Sequence, residues 1–444
     1  MRTFEDGLPR RLHDAAVEVK VRPAELEAMI ESRLREPRRR SRPRRVLALV
    51  PVFLLLVGTI FLAAQGAGGL RHTTESQLHA GHFGTTPGWS RLPSAPIHSR
   101  SEYVAVWTGR EMIVWGGYSG NSDYSDGAAY DPTTRTWVKI AAAPLSPRAA
   151  PVGVWTGKEM LVFGGSSNTG FYSDGAAFDP TTNTWRTLAP IPSSLGGNLT
   201  ATGSYAVWTG RRMLVWGFFG KGGGGAHGGG SLAAASYDPA TNTWTTDAAA
   251  PVQAPIFGDA FWTGKEMLVW GPPANAGGGD LAYLGIAFDP ATEKWIRLPD
   301  SPLARGSRYS TLAVWTGTEM VVGGGTEMIV GRFRDDAAYY TPATNTWHRL
   351  PNAPVGFTGN NNYPDIWTGK SVLAIEDSVA GGRPLSLNLA AGRWSLGPKA
   401  PIPGRQEADE IWTGSEALVW GGGTMSGHSC CIAVVPGYSY APRG

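Results

Sequence analysis

The sequence predicts an all-β chain built from seven copies of a four-stranded antiparallel unit, preceded by a single membrane-spanning helix. Three observations carry this. All eighteen tryptophans fall at one of three repeat positions. The triplets that begin at Trp107, Trp155, Trp208, Trp262, Trp315, Trp367 and Trp412 all read WTG, at spacings of 48, 53, 54, 53, 52 and 45 residues. Such a period marks one supersecondary unit copied many times. The third is an uncharged apolar run over residues 46–64.

Each unit reads the same way. Its first half, VWTGREMIVWGG at 106–117, is an apolar run, a Thr-Gly turn and a second apolar run, which is the pattern of a β-hairpin. Trp115, Trp216, Trp270 and Trp420 stand eight residues after their WTG tryptophans. The second half reads AAYDPTTRTW at 128–137 and recurs with small changes. Asp-Pro opens a tight turn there, because Pro presets φ and Asp bonds the backbone beyond it. A strand precedes the turn, and Trp137, Trp185, Trp244, Trp295, Trp347 or Trp394 begins the strand after it. Strands apolar on both faces need neighbouring units on both sides.

This pattern resembles the Kelch repeat. The carrying residues are the glycine pairs Gly116-Gly117, Gly164-Gly165 and Gly421-Gly422, the Tyr/Phe-Asp-Pro turn and the closing tryptophan. The resemblance covers residues from about 89 to 444 and implies a seven-bladed β-propeller. The third, fourth and sixth units depart at the glycine pair (Gly217-Phe218, Gly271-Pro272, Glu376-Asp377), and the sixth also lacks Asp-Pro. The seventh hairpin has no closing tryptophan after it, yet an extra closing phrase, GWSRLPSAP, stands at 88–96. Trp89 lies eighteen residues before Trp107, as Trp137 does before Trp155. Trp89 is therefore expected to begin the outer strand of the seventh blade, pairing the last edge and closing the ring.

The chain divides into a basic tail at 1–45, a transmembrane helix at 46–64, a linker at 65–84 and the propeller at 85–444. Nineteen uncharged residues span a bilayer as a helix. The block REPRRRSRPRR at 35–45 faces almost no positive charge beyond the span, which puts the N-terminus in the cytoplasm and the propeller outside. The competing reading is a cleaved signal peptide. A forty-five-residue leading region argues for a retained anchor in the cell membrane. The tail carries short helical patterns at Leu12, Ala15, Ala16 and Val19, and at Leu26, Met29, Ile30 and Leu34. It either lies solvated with its basic residues on anionic lipid or engages a cytoplasmic partner. The net charge of +3 comes largely from the Arg block, so the propeller shows no sign of a nucleic-acid partner. The abundant Ala, Gly and Arg suit a bacterium with a GC-rich genome. The run GKGGGGAHGGG at 220–230 lacks the ending and context of a phosphate loop.

Both short turns of a unit share one face, so the variable loops share the other, the default place for binding on a rigid scaffold. Those loops carry Tyr118, Asp123, Tyr124, Phe171, Tyr172, Tyr283, Arg332, Arg334 and Tyr363, while Arg100, Arg148, Arg308 and Arg405 precede inner strands. Aromatic platforms with Asn, Asp and Arg suit a sugar or peptide; the bland alternative is loop packing. Asp365 and Glu410, each two residues before a WTG tryptophan, are the catalytic candidates, with Asp409 adjoining. They act as an acid/base pair or cation ligands, or else pair with nearby Arg or water. His98, His428, Cys430 and Cys431 are weak metal candidates whose spacing fits no standard zinc pattern. Cys430 and Cys431 form a vicinal disulfide or stay reduced. Among Kelch enzymes, the copper site of galactose oxidase is not recognisable here, whereas the acid and Arg residues used by sialic acid mutarotase abound. No cofactor is expected. The leading expectation is a membrane-anchored binding module for a cell-wall glycan, polysaccharide or protein. A carbohydrate-active enzyme and a transmembrane sensor are the alternatives.

Overall fold

The computed structural model describes residues 88–120, 122–192, 204–219, 231–248, 255, 258–273, 283–303, 308, 310–327, 331–359, 365–375, 382–401, 406–426, 429–432 and 437–442. The tail, apolar span, linker and 220–230 run lie outside them. Among the described residues no helix is long and apolar enough to cross a membrane.

Seven antiparallel sheets form the blades of a propeller. The first blade runs outward through Val104–Trp107, Met112–Trp115, Gly127–Asp131 and Thr136–Lys139. The innermost strands of the next five are Val152–Trp155, Tyr205–Trp208, Asp259–Trp262, Leu312–Trp315 and Ile366–Trp367. The seventh begins with Gln406–Trp412. Each innermost strand touches the next, and the seventh touches the first, so the ring is closed. The outer edge of the seventh blade is Trp89–Arg91, registered as Trp89 opposite Tyr440, Ser90 opposite Ser439 and Arg91 opposite Tyr438. The sixth unit, the most degenerate in sequence, still forms four strands.

The burial follows from this stacking. Met112, Ile113, Val114 and Trp115 are all fully buried, because each face of the second strand meets another blade. In the innermost strand Val104 and Val106 pack toward the second blade, while Ala105 and Trp107 pack toward the seventh.

The closing tryptophans tie each blade to the one before it. Indole Nε1 donates from Trp137 to Pro93 O, from Trp185 to Ala141 O and from Trp244 to Ala189 O, at 3.1, 2.9 and 2.8 Å. Trp295, Trp347 and Trp394 bond likewise to Ala248, Pro299 and Pro351, and Trp89 to Pro398. The rings also pack on the eighth-position aromatic of the preceding blade: Trp185 on Trp115 at 5.7 Å, Trp244 on Phe163 at 4.6 Å, Trp295 on Trp216 at 4.8 Å. Each such aromatic pair adds about 0.5–1.5 kcal/mol beyond burial. The fifth blade has Gly323 at that position and the sixth has Ile375, where the other five have an aromatic. Phe357 fills the space at Gly323 and takes Trp394 at 5.2 Å.

Turn chemistry repeats as strictly. The WTG glycines sit at φ 85–103°, conformations a β-carbon disfavours. Asn183 and Asn242 hold the left-handed position two residues before a closing tryptophan. Their side-chain oxygens accept Ala141 N and Ala189 N of the preceding blade.

Candidate functional site

The two ends of the central channel offer different chemistry. Innermost strands start at the long-loop end and finish at the WTG end.

At the long-loop end, three of the arginines that precede inner strands are buried and spent on the scaffold. Arg100 donates to Gly116 O and to Asp126 Oδ1 at 2.7 Å, and its guanidinium lies 4.0 Å from the centre of the Tyr124 ring. Burial opposes the Asp126 carboxylate, but Arg100, with Lys139, holds it below the usual range. Arg148 repeats the arrangement with Gly164 O, Asp174 and the Tyr172 ring at 4.1 Å. Arg308 bonds Gly324 O and Asp336. Tyr124 and Tyr172 thus each give a ring face to a buried cation.

Other loop candidates are dispersed. Tyr118 pairs with Asp123 in a two-residue hairpin, and Phe171 pairs with Ser166 in another. Tyr283 packs on Trp270 at 5.9 Å. Arg332 is exposed beside the exposed Phe333, and Arg334 is ion-paired to Glu327 at 2.5 Å. Tyr363, Arg405 and His428 lie outside the described residues, as do the side chains of Cys430 and Cys431. His98 stacks on Tyr124 at 6.1 Å, and no group of three or more metal-ligating side chains occurs among the described residues.

Deeper in the channel, level with the WTG cavity floor and one residue beyond it, lie buried carboxylates. Asp365 Oδ2 accepts Ala313 N at 2.9 Å, and Asp365 N donates to Ala313 O, so this side chain is stapled to the fifth blade. Burial, and then the charge of Asp365, push the carboxyl of Asp259 well above the usual range, and its Oδ1 meets no hydrogen-bond donor. Asp409 is raised by burial, with Tyr103 pulling weakly the other way. Glu410 is buried next to it.

The WTG end is an aromatic cup. A cavity of about 370 Å³ opens there, walled by Trp107, Trp155, Trp208, Trp262 and Trp315 and floored by residues such as Gly153, Ala206 and Ala260. All five indoles are half-buried. Among the described residues their N–H groups meet no acceptor, in contrast to the seven closing tryptophans. The backbone adds to this. Thr108 N bonds Glu111 O, so rungs alternate from there: Val106–Ile113 and Val104–Trp115 are the bonded pairs. The N–H and C=O of Ala105 and Trp107 therefore point away from the ladder, into the channel. The same turn bond recurs at Thr156, Thr209 and Thr263, so Gly153, Ala206, Ala260 and their tryptophans repeat it. The bond from Asp365 to Ala313, at the equivalent position, shows that edge being used.

Known proteins resemble parts of this chain. The family model described as the KLHDC2/KLHL20/DRC7 Kelch-repeats domain matches residues 56–256. Galactose oxidase of Gibberella zeae is 30% identical over 147 residues, 33% of this chain and 20% of the relative. The chain thus aligns with about a fifth of that protein's length. The solved structure of YjhT aligns with a TM-score of 0.48 at 14% identity, covering 69% of this chain and 99% of that one.

Residues 56–256 match a Kelch-repeat model, and the chain folds as a seven-bladed β-propeller. Within this propeller, two features were not singled out from sequence. Asp259 stands three residues before its tryptophan rather than two, and only the structure shows it coupled to Asp365. The WTG tryptophans read as scaffold because all seven blades have them. Rung parity counted back from the turn is the signal that places their backbone groups in the channel.

Proposed function

We propose that this Kelch propeller is a membrane-tethered, extracytoplasmic binding module, and that its ligand is a cell-surface glycan or protein taken at the WTG mouth. One observation carries the site: five half-exposed indoles, whose N–H groups meet no acceptor among the described residues, wall an open depression of about 370 Å³. The apolar span at 46–64 and the preceding Arg block support the tether. The test is a glycan and cell-wall-fragment binding screen on the full chain in detergent micelles. Binding abolished by Trp155→Ala or Trp208→Ala, and kept in Tyr118→Ala and Arg332→Ala, is the expected result. The reverse pattern moves the site to the long loops.

A second reading, a carbohydrate-active enzyme, rests on the raised carboxyl of Asp259 facing Asp365. It requires sugar turnover that Asp259→Asn and Asp365→Asn abolish. Turnover unchanged in both variants, or none with any sugar bound, excludes it.

A further inference from the structure

Resting on the mouth as the binding site, we infer that its ligand is the uncharged end of a glycan chain, read by the free backbone edges of the first four blades. Three observations converge. Among the described residues no ionisable side chain lines the cavity, so a charged ligand would meet no counter-charge on its walls. Indole faces supply apolar platforms, which match the C–H faces of a sugar ring. The channel-facing N–H and C=O groups of Ala105, Gly153, Ala206 and Ala260 alternate donors and acceptors around the arc; the residues are half-buried, and a ligand that covers these groups must replace the water on them with its own polar atoms. A neutral polyhydroxylated ring satisfies all three. A purely apolar ligand would leave the edges unpaired, and an anionic one would have only backbone donors.

The ring itself shows how such an edge is silenced. In the first five blades the residue two before the WTG tryptophan is Ala105, Gly153, Ala206, Ala260 or Ala313; in the last two it is Asp365 or Glu410. Asp365 reaches back one blade and occupies both edge groups of Ala313. Fifth-blade edge groups are therefore spent, and the open arc lies on blades one to four, where the cavity floor is found. Small residues on that arc keep the edge accessible.

This suggests a variant that blocks the site without removing an aromatic ring. Ala206→Asp should reach back to Gly153 as Asp365 reaches to Ala313. Titration calorimetry on the full chain in micelles would use three probes: neutral gluco-oligosaccharides, oligogalacturonates as anions and glucosamine oligomers as cations. The neutral probe should bind, and Ala206→Asp should weaken it roughly tenfold or more, about the worth of one lost hydrogen bond. Ala206→Ser should leave it within about threefold. Should Ala206→Asp fail to fold by circular dichroism, Ala260→Asp makes the same test one blade on. Neutral binding unchanged in a folded Ala206→Asp or Ala260→Asp overturns the inference, as does no binding of the neutral probe. If a charged probe binds instead and Trp155→Ala abolishes it, the inference falls but the mouth stands as the binding site. If neutral binding is lost in Arg332→Ala and kept in Trp155→Ala, the mouth itself is refuted.

Discussion

Two rings of tryptophan run through this molecule, and they do opposite work. The outer ring closes each unit; all seven indole N–H groups are bonded to the preceding blade, and six of the rings pack on an aromatic of that blade. The inner ring, at the WTG turns, finds no acceptor for its N–H groups among the described residues, and five of its indoles wall the mouth. The residue type is the same and the repeat is equally regular. What differs is the hydrogen-bond account of each side chain. Repetition alone therefore does not separate scaffold from surface; satisfaction does.

The largest expected effect tests the outer ring at its seam. Deleting residues 85–97 removes Trp89–Arg91 and bares the edge of Tyr438–Tyr440. The chain should aggregate or melt far lower in a thermal scan, and an unchanged melting curve would show that closure adds nothing. Next comes the direct contrast. Trp185→Ala in the outer ring should cost roughly 3–5 kcal/mol by denaturant titration. Trp155→Ala in the inner ring should cost visibly less and abolish ligand binding. Equal costs with equal binding would erase the distinction between the rings.

A smaller effect probes the channel just behind the cavity floor. The Asp259 carboxyl has a raised folded-state pKa, through burial and then Asp365. For such a group the folded state holds its proton more tightly. Its contribution is present at low pH and is lost as pH rises from the ordinary Asp value of about 3.9 through the raised one. Asp259→Asn should thus raise the melting midpoint at pH 7–8, a gain that shrinks toward pH 4. A gain constant with pH would mean that the proton is irrelevant. The smallest effect is expected at Arg110, exposed and 3.3 Å from Asp131. Arg110→Ala should change stability by less than about 0.5 kcal/mol, as for most exposed pairs.

The fold was legible because its determinants are local. The Thr-Gly turn, the Asp-Pro turn and the spacing of tryptophans each act over a dozen residues, and counting them located even the seam at Trp89. The site was less legible because its determinants are relational. Tyr124 and Tyr172 read as exposed platforms, yet their faces meet Arg100 and Arg148 across 24 residues of chain. Phe357 stands in for an aromatic absent at Gly323, a substitution between positions that no alignment of repeats pairs. Asp259 became notable only through Asp365, two blades away.

The pairing of Trp89 with Tyr440 also has a consequence in time. The outermost strand of the last blade is among the first parts of the propeller to be made, and its partner is among the last. Six blades have all their strands in sequence order and fold as the chain emerges; the seventh must wait until nearly everything has been synthesised. Until then Trp89 has no partner strand and the first and sixth blades each present a bare face. The propeller is thus a clasp that only the finished chain fastens, and a chain cut short of Tyr438–Tyr440 keeps the edge of Trp89–Arg91 unpaired.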